Sequence, residues 1–231
     1  MHLHFLAIFE LIRRSNASIV TENKFEKSRK GRGGNKILLA NGKIAEVIFS
    51  TLLNTSKTML NPKVEAALNA QINAELWSAY LYLSMAAYAH ANGNPGMGNW
   101  FEVQFQEEQD HAKIMFNYII QRGGRVDLKP IEAVPTTWES PLAVFEATLA
   151  HEQKVTSLIN NLFALTTAEN DYATQSMLKW FVDEQVEEEE NAQNIIDNLK
   201  MIQGNGYGLY MLDKELGART YVQASPLAAK G

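Results

Sequence analysis

One segment of the sequence combines two residue types that bind metal ions, at a spacing that a helix can use. Glu108 and His111 form a Glu-x-x-His motif. Side chains three positions apart on a helix leave the same face, with Cβ atoms about 5–6 Å apart, close enough to share one cation. A motif this short also arises by chance, and it then represents an exposed acid beside a surface histidine. The motif therefore has to be judged from its context.

Further acids lie near the middle of other segments with helical periodicity. Glu75 lies in an apolar and aromatic stretch, and Tyr82 follows seven positions later, on the same helical face. Glu152 lies midway along a third segment. A fourth segment carries Glu184, Gln185, Glu187 and Glu188 between apolar pairs. Buried carboxylates without a counter-charge are very costly, and no Lys or Arg lies among these positions, so a bound cation is the economical explanation.

The run from Glu187 to Glu190 has a simpler alternative, which is a solvated helix face. Four consecutive positions turn through about 400°, so they cannot all face the same way. We expect Glu184, Glu187 and Glu188 to point inward and Glu189 and Glu190 to lie on the surface. The acids and histidines expected to lie on the surface or to bind no metal are Glu102, Glu146, Asp183, His90 and His151.

These positions require long helices, and the sequence marks where the helices begin and end. Asn61-Pro62 and Ser140-Pro141 each combine an N-cap residue with proline at the first helical position. The turn at 93–96 ends the first helix, and a second is predicted over 97–122, before Gly123-Gly124. The third runs to about residue 167 and the fourth, after a short turn at 169–171, to about residue 203. A short fifth helix is predicted over 209–216.

The irregular stretch 123–139 is too long for a simple turn between neighbouring helices. A connection of that length suits a crossover along a whole bundle, whereas antiparallel neighbours need only short loops. Strand patterns are absent from the sequence after residue 58. The fold class predicted is all-α, a four-helix bundle with one long crossover connection and a short fifth C-terminal helix.

Composition excludes several classes of protein. The chain has no cysteine, so it holds neither disulfides nor thiolate metal sites, and oxygen and imidazole ligands must serve any metal. No apolar run is long enough for a membrane span. Residues 59–231 carry 11 basic and 22 acidic residues, a balance that attracts cations and disfavours nucleic acid.

Residues 1–58 differ in character from the remainder. They hold 10 basic and 4 acidic residues, including a glycine-rich basic tract from Lys24 to Lys36. Arg13 and Arg14 follow the short apolar stretch near the start instead of preceding it, which is the wrong order for a secretory signal. A transit peptide is an alternative. We expect a disordered or non-native extension over 1–58 and one domain over 59–231, with Met59 as the natural start.

The chain resembles the bacterial non-haem ferritins, in the ferritin-like family, from Met59 to about Leu216. The segments that carry the resemblance are Asn73 to Leu76 with Tyr82, Gln106 to His111, His151 to Gln153, Glu184 to Glu188, and Gly208 to Leu216. The resemblance implies a cytoplasmic iron-storage protein with ferroxidase activity, which oxidises Fe(II) with O2 or H2O2. It further implies a homo-oligomeric shell of 24 subunits around a ferric mineral.

The resemblance also implies roles for individual residues. Glu75, Glu108 and His111 would bind the first iron, and Glu108 would bridge to a second iron held by Glu152. Gln185 and Glu188 would lie beside that second iron, and Tyr82 would lie next to the centre as a possible electron donor. A third nearby iron site would be formed by Glu107, Glu184, Glu187 and Glu188.

Two departures from related families sharpen this interpretation. Helix 4 has Glu187 three positions after Glu184, so the second Glu-x-x-His motif of di-iron oxidases and bacterioferritins is missing. Gln109 stands where bacterioferritins place a haem-binding methionine, so no haem is expected. The alternatives are a cage with little oxidase activity, a di-iron oxygenase acting on an organic substrate, and an acidic bundle without metal.

Overall fold

A computed structural model describes residues 60–228 of the chain. These residues form helices without any strand. The six helices are α1 (Pro62–Ala91), α2 (Pro95–Gln121), α3 (Pro141–Ala168), α4 (Tyr172–Ile202), α5 (Gly206–Leu216) and α6 (Ser225–Ala228). The all-α prediction is confirmed. The predicted extension over 1–58 lies outside the described residues. None of the described helices has the length and apolar character needed to cross a membrane.

The helix boundaries follow from local capping. The Asn61 side chain accepts a hydrogen bond from the Lys63 backbone N–H at 2.8 Å, and Ser140 accepts one from Ala143 N–H at 3.1 Å. Both satisfy N–H groups that have no partner within the helix. Asp171 caps α4 in the same way through Thr174 N–H. The prediction of these three starts is confirmed, whereas α5 begins three residues earlier than predicted and α6 was not predicted.

The connection from 122 to 140 runs along α1. Asp127 N–H donates to Asn69 Oδ1 at 2.7 Å near the start of that helix. Further on, Ser84 donates to the Pro135 carbonyl at 2.6 Å, and the Tyr88 hydroxyl donates to the Trp138 carbonyl at 2.7 Å. The contacts advance along α1 by roughly 28 Å at 1.5 Å per residue. The long stretch is therefore the crossover that the sequence predicts.

The bundle core contains two apolar clusters. One gathers the first half of α1 with the second half of α2, the second half of α3 and the first half of α4. The other gathers the opposite halves of the same helices together with α5. On each long helix the buried acidic residues fall in sequence between these two clusters. The polar layer is thus enclosed by apolar packing at both ends, which keeps bulk water away from it.

The C-terminal part of the chain folds back onto α2. The Asp213 carboxylate accepts hydrogen bonds from the backbone N–H groups of Gly96 and Met97 at 3.0 and 2.9 Å, capping the start of α2. A side chain at Gly96 would collide with the Asp213 carbonyl, because a Cβ there would lie 1.6 Å from its oxygen. Glycine is therefore required for this close approach.

Candidate metal centre

Three side chains from two helices converge in the buried polar layer. Glu75 on α1 and Glu108 and His111 on α2 each present one potential ligand atom, and these three atoms lie within 4.8 Å of one another. His111 Nδ1 is 3.5 Å from Glu108 Oε2. All three side chains are buried. The Glu-x-x-His motif and the mid-helix acid therefore meet as the spacing predicts.

Two oxygens of this group are buried without a hydrogen-bond partner among the described residues, Glu75 Oε2 and Glu108 Oε2. The other Glu75 oxygen accepts from Gln71 Nε2 at 3.0 Å. Burial, followed by the charge of Glu108, raises the pKa of Glu75 to about 8. Burial, followed by the charge of Glu152, raises the pKa of Glu108 well above its usual range. A cation placed against these oxygens would supply the partner that the protein does not.

A second set of polar groups comes from α3 and α4. Glu152 is fully buried, and its Oε2 accepts a hydrogen bond from Gln185 Nε2 at 3.2 Å. Glu188 is buried as well, and its Oε2 accepts from Gln104 Nε2 at 2.8 Å. Burial is the main cause that raises the pKa of both carboxyls, and the charge of Glu152 is the next cause for Glu188. The second Glu152 oxygen also accepts a hydrogen bond, from the Tyr82 hydroxyl, so a metal there would share a carboxylate that the protein already orients.

Tyr82 adjoins this second set. Its hydroxyl donates a hydrogen bond to Glu152 Oε1, and its ring stacks on Phe101 with centroids 6.1 Å apart. Burial, followed by the charge of Glu152, raises the tyrosine pKa well above 10, so the phenol stays protonated. The His151 ring lies edge-on to the Tyr82 ring, with centroids 6.0 Å apart, and its Nε2 forms a hydrogen bond with Ser78 Oγ at 2.8 Å. This contact engages one ring nitrogen of His151, and the expectation that His151 binds no metal stays a prediction.

The outer acids of the proposed third site differ from one another. Glu107 and Glu184 are half-buried, and burial raises the pKa of both carboxyls. Glu187 is exposed, so the prediction that it points inward is wrong. Gln185 and Glu188 take the inward positions of that turn, and Glu187, about 100° away from Glu188, must face outward.

Most of the other acids that were predicted to lie on the surface are exposed, and one is half-buried. Glu189 is half-buried and accepts a hydrogen bond from Thr156, so its expected surface position is only partly right. Glu190 is exposed as predicted. The remaining acids predicted to lie on the surface, Glu102, Glu146 and Asp183, are exposed, as is His90.

The sequence interpretation missed a cation at the edge of the site. Arg219 follows the last predicted helix, and its Nη2 lies 2.7 Å from Glu107 Oε2. The inference that no Lys or Arg lies among the acids is therefore wrong for Glu107. Nothing in the sequence indicated this ion pair, because the two residues are 112 positions apart along the chain. Gln104 was also missed, since a lone glutamine on a helix gives no signal in sequence.

A four-helix bundle with one long crossover and a central layer of buried carboxylates and one imidazole defines a metal-binding helical bundle. The sequence model of the Ferritin-like domain matches residues 65–202. The chain belongs to this family.

Several proteins in that family resemble the chain over most of their own length. A bacterial non-heme ferritin of Bacteroides fragilis is 45% identical over 161 residues, which are 70% of this chain and all of that protein. One from Staphylococcus aureus is 39% identical over 163 residues, 71% of this chain and 98% of that one. An open-pore ferritin of the archaeon Archaeoglobus fulgidus has 48% identity and a TM-score of 0.69, covering 70% of this chain and 99% of that chain.

Proposed function

We propose that this chain is an iron-storage ferritin with ferroxidase activity. Each subunit binds and oxidises Fe(II) with O2 or H2O2 at a di-iron centre. The Fe(III) is then stored as ferric oxyhydroxide inside a shell of 24 subunits. The observation that carries this proposal is the buried group of Glu75, Glu108 and His111, in which two carboxylate oxygens accept no hydrogen bond from residues 60–228.

The ligands divide between two iron positions. Glu75, Glu108 and His111 serve the first, and Glu152 serves the second with Gln185 and Glu188 beside it. Glu108 bridges the two. That role is supported by its Oε2, which accepts no hydrogen bond from the described residues, and by the charge of Glu152, which acts on its carboxyl.

Metal binding must be coupled to proton release. Burial raises the pKa of Glu75 to about 8 and also raises the pKa values of Glu108, Glu152 and Glu188, so an incoming cation competes with protons for these carboxyls. Hard oxygen ligands favour Fe(III) over Fe(II) and so favour the oxidation. Two Fe(II) ions then give two electrons to O2, which takes up two protons to become H2O2. If H2O2 is the oxidant, the same two electrons and two protons convert it to water.

The outer acids offer a position for iron between the centre and the solvent. Glu107 and Glu184 interact electrostatically with each other and with Glu187. Their graded exposure, from buried Glu188 through half-buried Glu107 to exposed Glu187, gives an acidic route from the inner centre outward. We propose these four as the third iron site.

Stopped-flow absorbance at the ferric band tests the proposal. Glu108→Ala should abolish the rapid phase of Fe(II) oxidation while the helical circular dichroism stays unchanged. Glu102→Ala removes an exposed acid from the same helix and is the matched control. A rapid phase of unchanged amplitude and rate in Glu108→Ala would refute the di-iron assignment.

A further inference from the structure

The segment 217–224, which we call the C-terminal strap, lies across α2 beside the outer acids. Asp110 fixes one end, because its Oδ2 accepts hydrogen bonds from the Tyr221 hydroxyl at 2.7 Å and from the Ala224 backbone N–H at 2.8 Å. Asn99 fixes the other end by donating to the Arg219 carbonyl at 2.9 Å. The strap is thus held at Arg219 itself and again at Tyr221 and Ala224, which restricts where the Arg219 side chain can reach.

The Arg219 guanidinium is held by three contacts with α2. Nη1 donates to Gln104 Oε1 at 2.5 Å, and Nη2 pairs with Glu107 Oε2 at 2.7 Å. The guanidinium carbon lies 4.8 Å from the centre of the Trp100 ring, a cation–π distance. A planar fork satisfies two acceptors at once, which a lysine ammonium on a flexible stem does less well.

The orientation of the Gln104 amide shows that this position is specific for the arginine side chain. Its Nε2 donates to Glu188 Oε2 at 2.8 Å, so its carbonyl oxygen must face the other way, toward Arg219. One amide therefore connects an inner acid to the strap arginine. Each terminal nitrogen of the guanidinium has a hydrogen-bond partner, so Arg219 is not a surface side chain that merely lies near an acid.

We propose that Arg219 is a positioning residue that acts as the resident counter-cation of the outer acidic cluster, so that iron must displace it from Glu107 to bind there. This inference rests on the proposed function, because it assumes that Glu107 receives iron in transit. The arginine neutralises Glu107 while the cluster is empty. It also weakens metal binding to Glu107, which favours onward movement of iron over retention.

The test uses Mn(II), a redox-stable cation suited to oxygen ligands, with the metal-free full-length protein. Free Mn(II) is counted by electron paramagnetic resonance during titration under argon. Arg219→Gln should tighten the Glu107-dependent part of the binding roughly fivefold, since it removes a partly exposed charge pair. Arg219→Lys retains the charge and should fall between Arg219→Gln and the wild type. Arg125→Gln removes an exposed arginine from the same chain and should leave the affinity unchanged.

A double-mutant cycle decides whether the effect acts through Glu107. In a Glu107→Gln background, Arg219→Gln should no longer change Mn(II) affinity. A gain that persists there, or a result for Arg219→Gln equal to that for Arg125→Gln, would overturn the competition between arginine and metal alone. If Glu107→Gln itself left Mn(II) binding unchanged, the outer cluster would not be a cation site, and the third site of the proposed function would fail as well. Should Arg219→Gln unfold, Arg219→Lys carries the same comparison.

Discussion

The Tyr82 hydroxyl donates a hydrogen bond to Glu152 Oε1 inside the bundle, joining α1 to α3 at the level of the polar layer. Gln185 holds the other oxygen of the same carboxylate. Both donors stabilise the charged form of Glu152, which burial disfavours. Two neighbours on different helices therefore oppose the effect of burial on the charge of this proposed iron ligand.

Tyr82→Phe should slow Fe(II) oxidation without disturbing the fold. The phenylalanine ring keeps the packing on Phe101, but Glu152 loses a donor and its pKa rises further, so protons compete better with iron. We expect a rapid phase slower by roughly fivefold, the size of one hydrogen bond. Rapid-freeze electron paramagnetic resonance should also lack any tyrosyl signal that the wild type shows.

Tyr88→Phe is the matched control for this prediction. Its hydroxyl donates to the Trp138 carbonyl in the crossover, away from the polar layer. Its loss should leave the oxidation rate unchanged. Equal rates for Tyr82→Phe and the wild type would remove Tyr82 from the proposed chemistry.

The metal-free protein should lose stability as the pH rises from 6.5 to 8. The folded-state pKa of Glu75 is raised to about 8, so this group contributes stability that is lost as the pH rises through that value. The other buried carboxyls have raised pKa values and act in the same direction. His151 acts oppositely, because burial and Lys154 lower its pKa to about 4. Its contribution is lost as the pH falls, so it is nearly constant above pH 6.5.

The measurement is the unfolding temperature of the metal-free protein across this pH range. In Glu75→Gln the free energy of unfolding should fall less steeply with pH. The difference in slope should be up to about 1.4 kcal/mol per pH unit, which is the effect of one proton. Glu190→Gln, at an exposed position, should leave the slope as it is. An unfolding temperature of the wild type that rises with pH would contradict the prediction that these acids are protonated in the folded protein.

The sequence predicted the helices well because their signals are local. The caps at Asn61, Ser140 and Asp171 act within three residues, and the apolar periodicity marks the buried face of each helix. Glu75, Glu108 and His111 were found because their spacing places them on inward faces. The errors concern residues whose surroundings are set over long distances. Arg219 approaches Glu107 only because the strap returns to α2, and the direction of Glu187 depends on the rotation of α4 against its neighbours.

Leu83→Arg should impair assembly of the shell. Leu83 and Tyr80 are 40% and 51% exposed on α1, and such apolar exposure on one face suits contact with a second copy. A shell of 24 subunits of 25.9 kDa would elute at about 620 kDa on gel filtration. We expect the charged variant to shift toward small oligomers with its helical content intact, because burying an unpaired charge is costly. Leu83→Met keeps an apolar side chain of similar size and should assemble as the wild type does. A wild type that elutes as a clean monomer or dimer would refute the shell.

A chain that starts at Met59 should keep the fold, the assembly and the oxidase activity. The first described residues already pack on the bundle. Leu60 is buried, and the Asn61 side-chain amide donates a hydrogen bond to the Glu169 carboxylate at 2.7 Å. Every proposed iron ligand lies between residues 75 and 188. The glycine-rich basic composition from Lys24 to Lys36 predicts too little apolar burial to offset an ordering cost of about 1–2 kcal/mol per residue. Limited trypsin digestion of the full chain should therefore cut quickly between Lys24 and Lys57 and stop at a resistant core that retains rapid Fe(II) oxidation. Protection of that region, or failure of the shortened chain to assemble, would show that residues 1–58 are a working part of the protein.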